Sequence, residues 1–523
     1  MSKDNFLTEL KAAVGAAVVF DDGATRDYYA NDIFWQPGIP PLAVVTPESA
    51  DQASEAVKVA ARHKIAIVPR GGGMSYTKGY LPENPQSIVM DTRKLNKVIE
   101  VNVADNYITV ESGCTWAQVH KALEGKGVTT GYWGPLSGIN ATVGGALSQN
   151  SAFFGSGIHG TVANNVLGVT VLLANGEIVT TGSGGRINTK PFTRYAGPDM
   201  TGIFLGDTGA LGLKLAATMK LVPEAKDQDF LGFGFKDMKS MVLAQAEMSY
   251  LYAIATSFGI DRSKAINSAS VNKLADGPKI IGNVAKAAKG WVQGVKDVVS
   301  VVTTGENYLT EHECSLHLVV EGRSSQDLKN NMEALRVIGN KYGVEISNAA
   351  ARVMRSKPFN PVRGMLGSDG QRWVPIHSVF PMSEAARVVA ANDAYFESQR
   401  ALIDQHGIIL SYLTLTVAGE FFFEPAFYWT DEITPLHSKS MGEDVVAPWI
   451  SRKANVEARE AVATLRKGIQ SVYLGLGGVN WQIARDYPFK EVQKSPTWAL
   501  LSALKAAVDP DGIMNPGSLG LSR

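Results

Sequence analysis

The sequence predicts an α+β protein of at least two domains. At 523 residues the chain exceeds what one compact core accommodates. Its texture also changes at Pro223. Before that residue, helices and strands alternate around several glycine-rich turns; after it, longer helical stretches are separated by isolated strand-like segments.

In the first part, Ser49 with Gln52 three residues on reads as a capping box opening a helix that runs to His63. Ile65–Val68 is a short apolar strand leading straight into Gly71-Gly72-Gly73. Ser87–Asp91 reads as a strand, Lys97–Val103 with Tyr107–Glu111 as a hairpin, and Thr115 as the cap of a helix reaching Lys126. Val169–Leu173 and Glu177–Thr181 flank Asn175-Gly176, a two-residue hairpin signal. Leu213–Val222 alternates into a further strand that Pro223 ends. Lys226–Asp229 is a polar break. Beyond it, helical stretches are expected near 237–255, 325–342, 383–405 and 454–469, and strands at Ser315–Glu321, Arg372–Phe380 and Ile408–Val417.

Composition narrows the function. Fifty basic and fifty acidic residues cancel, and no long basic stretch exists, which disfavours a nucleic-acid partner. Only Cys114 and Cys314 are present, too few for a disulfide framework, so two free thiols in a reducing compartment are the simpler expectation. The opening residues lack a secretory pattern, and no apolar run is long enough to span a bilayer; a cytoplasmic location is expected. Ile280–Val302, apolar but interrupted by Lys286, Lys289 and Lys296, is the strongest candidate for a membrane-surface helix, and a plain surface helix is the favoured reading.

The segment Pro69-Arg70-Gly71-Gly72-Gly73-Met74-Ser75 carries chemistry. Three successive glycines after a strand can aim their amides at one point and form a nest for a pyrophosphate. Neither a nucleoside-triphosphatase loop nor a Gly-x-Gly-x-x-Gly helix start accompanies them. Two more backbone-exposing clusters follow, Gly134–Asn150 and Leu205–Gly212. Three such loops on one domain suit a long, flat ligand with a diphosphate at its middle, the shape of FAD.

These motifs resemble the vanillyl-alcohol oxidase and p-cresol methylhydroxylase flavoproteins. The resemblance rests on the Pro-Arg-Gly-Gly-Gly loop, Ala141–Asn150, Gly168–Gly182, Gly209–Pro223 and the ending Asp509–Gly517. It implies a two-subdomain FAD-binding domain of the p-cresol methylhydroxylase type with an inserted α+β cap. Residues 1–223 would form the N-terminal part, 224–476 the cap and 477–523 a returning tail. It further implies that Pro69, Arg70, Gly71, Gly72, Gly73, Met74 and Ser75 hold the pyrophosphate, and that Pro135, Ser137, Thr142, Gly145, Ser148 and Asn150 line the path of the adenosine and flavin. Gly212 and Leu213 would contact the far end, and Asn515 would close the site.

Relatives with a covalent histidine in the pyrophosphate loop carry it where this chain has Met74, and the cap segment aligns as Phe422-Phe423-Glu424. Neither place offers a bonding group, so FAD is expected to be non-covalent; Tyr428 and His159 are the nearest alternatives. Where phenol-oxidising relatives hold a phenolate, this chain has Trp481-Gln482, with Arg485 one turn away if the segment is helical. A neutral aromatic or alicyclic alcohol suits that pair. His377, Tyr412 and Glu420 are the candidates for proton handling, expected on strands on the substrate side of the flavin. Tyr76 and Tyr80 could wall the pocket, while the aromatic run Phe421–Phe423 with Phe427, Tyr428 and Trp429 reads as cap core.

The His-Gly-Asp-Gly-Asn-type metal motif of D-2-hydroxy-acid dehydrogenases is missing, His312 and His317 make no ready clamp, and no metal is expected. The expected activity is oxidation of an alcohol or benzylic carbon, with oxygen or another acceptor taking the electrons. A 2-hydroxy-acid dehydrogenase and a flavin-binding electron-relay protein are the alternatives, and a homodimer is the expected assembly.

Overall fold

The computed structural model describes residues 3–33, 38–265, 311–356, 358–359 and 365–521. The chain divides into two compact units. One comprises Met1–Ser151, Thr161–Pro223 and Trp481–Arg523, the other Ala152–Gly160 and Glu224–Asn480. The sequence reading gave Ala152–Gly160 to the first domain; the structure groups it with the second. The segment Ile280–Val302 lies outside the described residues.

In the first unit a four-stranded sheet runs in the order Val19–Phe20, Ala43–Val45, Ser87–Asp91, Ala66–Arg70. The last three strands are mutually parallel. A parallel strand needs a crossover, and the helix Ala50–His63 supplies it between Ala43–Val45 and Ala66–Arg70. Ser49 Oγ accepts the Gln52 amide, while Gln52 Oε1 reaches back to the amide of Glu48 rather than Ser49. Ala53, Ala56, Val57 and Ala60 of this helix pack with Ile67, Ile88 and Met90 of the strands in one core.

A six-stranded sheet follows, built around Leu213–Pro223, which pairs with Tyr107–Glu111 on one side and Val166–Leu172 on the other. The hairpin Val98–Asn102 to Tyr107–Glu111 forms as expected. The helix after Thr115 carries a full capping box with Gln118 but stops at Leu123, short of Lys126. The Asn175-Gly176 hairpin differs in turn type. Gly176 amide bonds to Leu173 O and Leu173 amide to Glu177 O, and of the pair only Gly176 has positive φ. That is a three-residue turn ending in a left-handed glycine, rather than a two-residue one.

The second unit holds an eight-stranded antiparallel sheet among the described residues. Its path is Val344–Ile346, Asp227–Phe235, Cys314–Gly322, Ile254–Asp261, Ile409–Val417, Glu420–Trp429, Arg372–Pro375, with Ser378–Pro381 also paired to Glu420–Trp429. Asp227–Asp229, read from sequence as part of a break, instead opens a nine-residue strand paired along its whole length with Cys314–Gly322. The stretch Arg372–Phe380 forms two strands separated by Ile376 and His377.

Register assigns the faces of this sheet. Tyr412, Thr414, Phe421, Phe423 and Phe427 share one face, and helices cover it. Gln245 of the helix Met238–Ser249 bonds Thr414 and Thr416, Phe396 of Ala385–Ser398 packs on Phe427, and Tyr473 of Val456–Gly475 packs on Phe423. The opposite face carries Phe422, Glu424 and Tyr428, with Trp373 directly across from Tyr428. Phe153, from the segment Ala152–Gly160, stacks on Phe258.

Cys114 and Cys314 are both free and buried, one in each unit, and burial raises each thiol to about 12.

Candidate functional site

The glycine loop begins where the strand Ala66–Arg70 ends. The amides of Gly72, Gly73, Met74 and Ser75 have no acceptor among the described residues. Four neighbouring donors left open at one turn form a ready anion cradle. A Cβ on Gly71 would sit 2.2 Å from Thr142 Oγ1, and one on Gly72 only 1.9 Å from Asn140 O. Only glycine lets the two loops approach so closely. Tyr80 OH donates to Gly73 O and Ser75 O, fixing the far side of the loop.

Arg70 is buried. Its guanidinium lies 4.6 Å from the Tyr29 ring and 4.7 Å from the Tyr80 ring, and donates to Tyr29 O and Asn31 O. The side chain is thus engaged by the protein, and braces the loop from behind.

The second loop contributes through turns and caps. Ser137 O accepts the amides of Asn140 and Ala141, and Gly138 amide bonds to Pro135 O. Thr142 Oγ1 caps the helix Val143–Gln149 by accepting the Gly145 amide, and Asn150 closes that helix in a left-handed conformation. Ser148 O takes the amide of Thr208, joining the second loop to the third. Leu213 starts the strand Leu213–Pro223, and Gly212 just before it is tight against Val171.

Three buried side-chain oxygens, Gln149 Oε1, Asn150 Oδ1 and Thr208 Oγ1, have no protein partner among the described residues. They gather at one place. A Cβ on Gly79 would touch Gln149, Thr208 and Ala484, and Gln482 amide bonds to Gln149 O. Buried polar atoms without partners are costly in a folded chain and mark a place for a polar ligand. These residues sit within motifs noted in the sequence, yet spacing alone did not single out Gln149 or Thr208.

The C-terminal tail is bound to the same place. Ile67 exchanges main-chain bonds with the tail, donating its amide to Ile513 O and accepting the amide of Asn515. Asn515 Nδ2 donates to Gly79 O and Thr208 O, and its Oδ1 accepts from Arg485. Asp509 accepts the amides of Ile513 and Met514 while pairing with buried Lys505. Arg485 also donates to Lys78 O, Leu81 O and Pro516 O, so its guanidinium is occupied by main chain. Residues 481–485 form turns rather than a helix, with Gln482 and Ala484 both at positive φ. Trp481 and Gln482 are half-buried there.

In the second unit, His377 is buried with its ring stacked on Phe422 at 5.0 Å, and its carbonyl accepts from Asn480 Nδ2. It lies in the link between two strands rather than on one. Tyr412 lies on the helix-covered face, stacked on Phe423 at 5.8 Å. Its phenol is pushed up in pKa by burial. Glu420 is exposed at the tip of the hairpin joining Ile409–Val417 to Glu420–Trp429. The structure therefore brings His377 onto the face of Phe422, Glu424 and Tyr428, and separates Tyr412 from it. Glu424, buried, and Lys264 were not singled out in the sequence: a fully paired strand and a separation of 160 positions leave no local signal.

Among the described residues no group of three or more His, Cys, Asp or Glu could hold a metal ion. His317 is buried in the sheet, bonded to Ser315 and stacked on Phe258. No helix among them is long and apolar enough to cross a membrane.

The nest, the partnerless oxygens and the docked tail define a p-cresol methylhydroxylase-type FAD-binding fold, and comparison with known proteins agrees. Residues 41–182 match the FAD binding domain family, and residues 485–519 match the C-terminal domain of FAD linked oxidases. The chain thus carries an FAD-binding domain, and FAD is its cofactor.

Its particular likenesses are to three proteins. The glycolate oxidase subunit GlcD of Bacillus subtilis is 32% identical over 40% of this chain and 44% of that protein. The mitochondrial cytochrome-linked D-lactate dehydrogenase of Kluyveromyces lactis is 29% identical over 38% of this chain and 34% of its own length. The chain therefore spans less than half the length of either relative. Among solved structures, substrate-bound p-cresol methylhydroxylase superposes with a TM-score of 0.76 at 17% identity, covering 99% of this chain and 97% of that one, a likeness of fold.

Proposed function

We propose that this protein is an FAD-dependent oxidoreductase that oxidises the CH–OH carbon of a small organic substrate. The observation that carries the proposal is the set of open amides at Gly72–Ser75, which meets the two charges of a diphosphate with main-chain donors. Pro69 and Arg70 set the direction of that loop from the strand. Thr142, Gly145, Ser148 and Asn150 line the cofactor's path with Pro135 and Ser137, and Gly212, Leu213 and Asn515 support its far end. Gln149 and Thr208 join this set through their partnerless oxygens.

When bound, FAD supplies the hydride acceptor. The residues of the chain must then orient the substrate and take the hydroxyl proton. His377 and Glu424 are the proton-handling groups of this reading, since both are buried and lie on the side of the sheet that carries Phe422 and Tyr428. Trp481 and Gln482 contact the substrate by stacking and by a hydrogen bond. Arg485 positions the tail through its main-chain acceptors. With Met74 in the loop and Phe422 in the second unit, FAD is held without a covalent bond.

A second reading narrows the substrate to a 2-hydroxy acid. It is favoured by the names of the relatives, a glycolate oxidase subunit and a D-lactate dehydrogenase. Anaerobic titration of purified protein decides between the readings. Bleaching of the flavin by benzyl alcohol supports a neutral alcohol; bleaching by D-lactate or D-2-hydroxyglutarate supports the hydroxy acid. A flavin that no alcohol bleaches would leave only an electron-relay role.

A further inference from the structure

The third glycine loop holds a strained residue. Thr208 lies at φ 54° between Gly206 and Gly209, whose φ values are 68° and 73°. Glycine adopts this left-handed region freely, whereas a β-branched side chain there crowds its own backbone. Bonds on both sides hold it in place. The Thr208 amide donates to Ser148 O, and Thr208 O accepts from Asn515 Nδ2. Asp207, paired with Lys214, accepts the amides of Gly209 and Leu211.

The strain brings no return within the protein, because the Thr208 hydroxyl is buried without a partner among the described residues. A Cβ on Gly79 would sit 2.9 Å from the Thr208 methyl carbon, so the branched side chain is oriented and its hydroxyl has a fixed direction. Gln149 Oε1 and Asn150 Oδ1 are likewise buried and unpaired. Gln149 also faces Gly79, and Asn150 faces Gly206 of the same third loop. That loop adjoins the open amides: a Cβ on Gly209 would fall 2.6 Å from Pro69 Cγ.

Two carboxamides and a hydroxyl offer donors and acceptors but no charge. They suit an uncharged group rich in hydroxyls and joined to the anion that the amides hold. FAD carries such a group on each side of its diphosphate, ribityl toward the flavin and ribose toward the adenine. The Gln482 amide bonds to Gln149 O, which ties the pocket to the tail segment read above as contacting substrate and selects the flavin side.

We propose that Thr208, Gln149 and Asn150 form the recognition pocket for the ribityl hydroxyls of FAD, with Thr208 the residue that sets the fit. The inference rests on the cofactor placement in the proposed function and sharpens it. The bond that the Thr208 hydroxyl makes to the ribityl chain offsets the strain of its backbone.

The test strips flavin from the full-length protein by bromide dialysis and titrates it calorimetrically with FMN, with FMN whose ribityl chain is deoxygenated, and with ADP. Wild type is expected to bind FMN roughly tenfold to a hundredfold more tightly than the deoxygenated analogue, the value of one or two hydrogen bonds left unmade. T208V matches the shape of threonine without its hydroxyl and should narrow that preference by about tenfold. T208S should keep most of it, and neither variant should move ADP. A wild type without the preference, or a T208V that retains it in full, overturns the pocket. ADP weakened by T208V as much as FMN assigns the pocket to the ribose and overturns it too. Should T208V fail to fold, Q149M replaces it and is expected to narrow the same preference. ADP bound by G72A as tightly as by wild type sinks the diphosphate cradle instead, a failure separate from that of the pocket.

Discussion

The side-chain amide of Asn515 donates to the carbonyl of Thr208 at 2.6 Å, across 307 positions of sequence. One buried side chain thereby joins the tail to the third glycine loop, and through Gly79 O and Arg485 to the first. Asn515→Ala removes two donors and one acceptor and strands several buried groups. Each stranded group costs about 1–3 kcal/mol. The variant is expected to melt several degrees lower and to lose flavin on gel filtration. Asn515→Asp should be nearly as damaging, because a carboxylate offers no donor to the two carbonyls. Differential scanning calorimetry with flavin absorbance checks both; a wild-type melting curve for either substitution contradicts the keystone role.

Gly72→Ala places a methyl group within 1.9 Å of Asn140 O unless the loops separate. Separation widens the amide nest, so the flavin-to-protein absorbance ratio should fall by about tenfold, equivalent to roughly 1.4 kcal/mol of binding. Gly475→Ala is the control, since nothing lies within 4 Å of the added carbon. Its flavin content should match wild type. Equal flavin retention in G72A would show that the cofactor does not rest on this loop.

Met74 and Phe422 cannot form a bond to the flavin ring. Acid precipitation should therefore leave a colourless pellet under a yellow supernatant. A yellow pellet would move attention to Tyr428 or His159, and Tyr428→Phe would then tell which.

The parts of this molecule that were legible in the sequence are those encoded locally. Ser49 and Thr115 cap helices whose starts they announce, and Gly71-Gly72-Gly73 follows its strand without interruption. Tyr412 was placed beside His377 because both sit in strand-like stretches. Its facing depends on pairing with Pro425, and a register shift of one residue would reverse it. Arg485 looked available because its acceptors, Lys78 O and Leu81 O, are main-chain atoms more than 400 residues away. Lys264 meets Trp373 and Tyr428 only once three separate strands have assembled. Asp227–Asp229 read as a break because polar residues at the exposed end of a strand carry no apolar alternation.

Two buried histidines set the acid limit of the second unit. Burial lowers His317 to about 4 and His437 to about 3. Both are neutral in the folded chain, while in the unfolded chain they titrate near the ordinary value of 6.5. The unfolded state therefore binds more protons below that pH. Stability that is fully present above pH 6.5 is lost as the pH falls toward the folded values. For His317 alone the loss is about 3 kcal/mol. The melting temperature should fall steeply between pH 6.5 and 4, and His317→Phe should flatten that slope. A slope unchanged in H317F would assign the acid sensitivity elsewhere.

The division of the sheet faces separates three residues that the sequence grouped together. Tyr412 packs on Phe423 and Phe396 under the helices, so its hydroxyl is remote from the face of His377 and Glu424. Tyr412→Phe should leave the rate of flavin reduction within about twofold of wild type, with only a small change in stability. Glu420, exposed at the hairpin tip, should tolerate Gln equally well. A group that takes the substrate's proton contributes about a hundredfold or more. Glu424→Gln and His377→Gln therefore separate the two remaining candidates, and the one that acts should lower the reduction rate by that factor and remove a limb of its pH profile. Anaerobic stopped-flow reduction of the four variants measures all of this. A hundredfold loss in Y412F with normal E424Q and H377Q would place the proton acceptor on the helix-covered face, and the facing argument would fail with it.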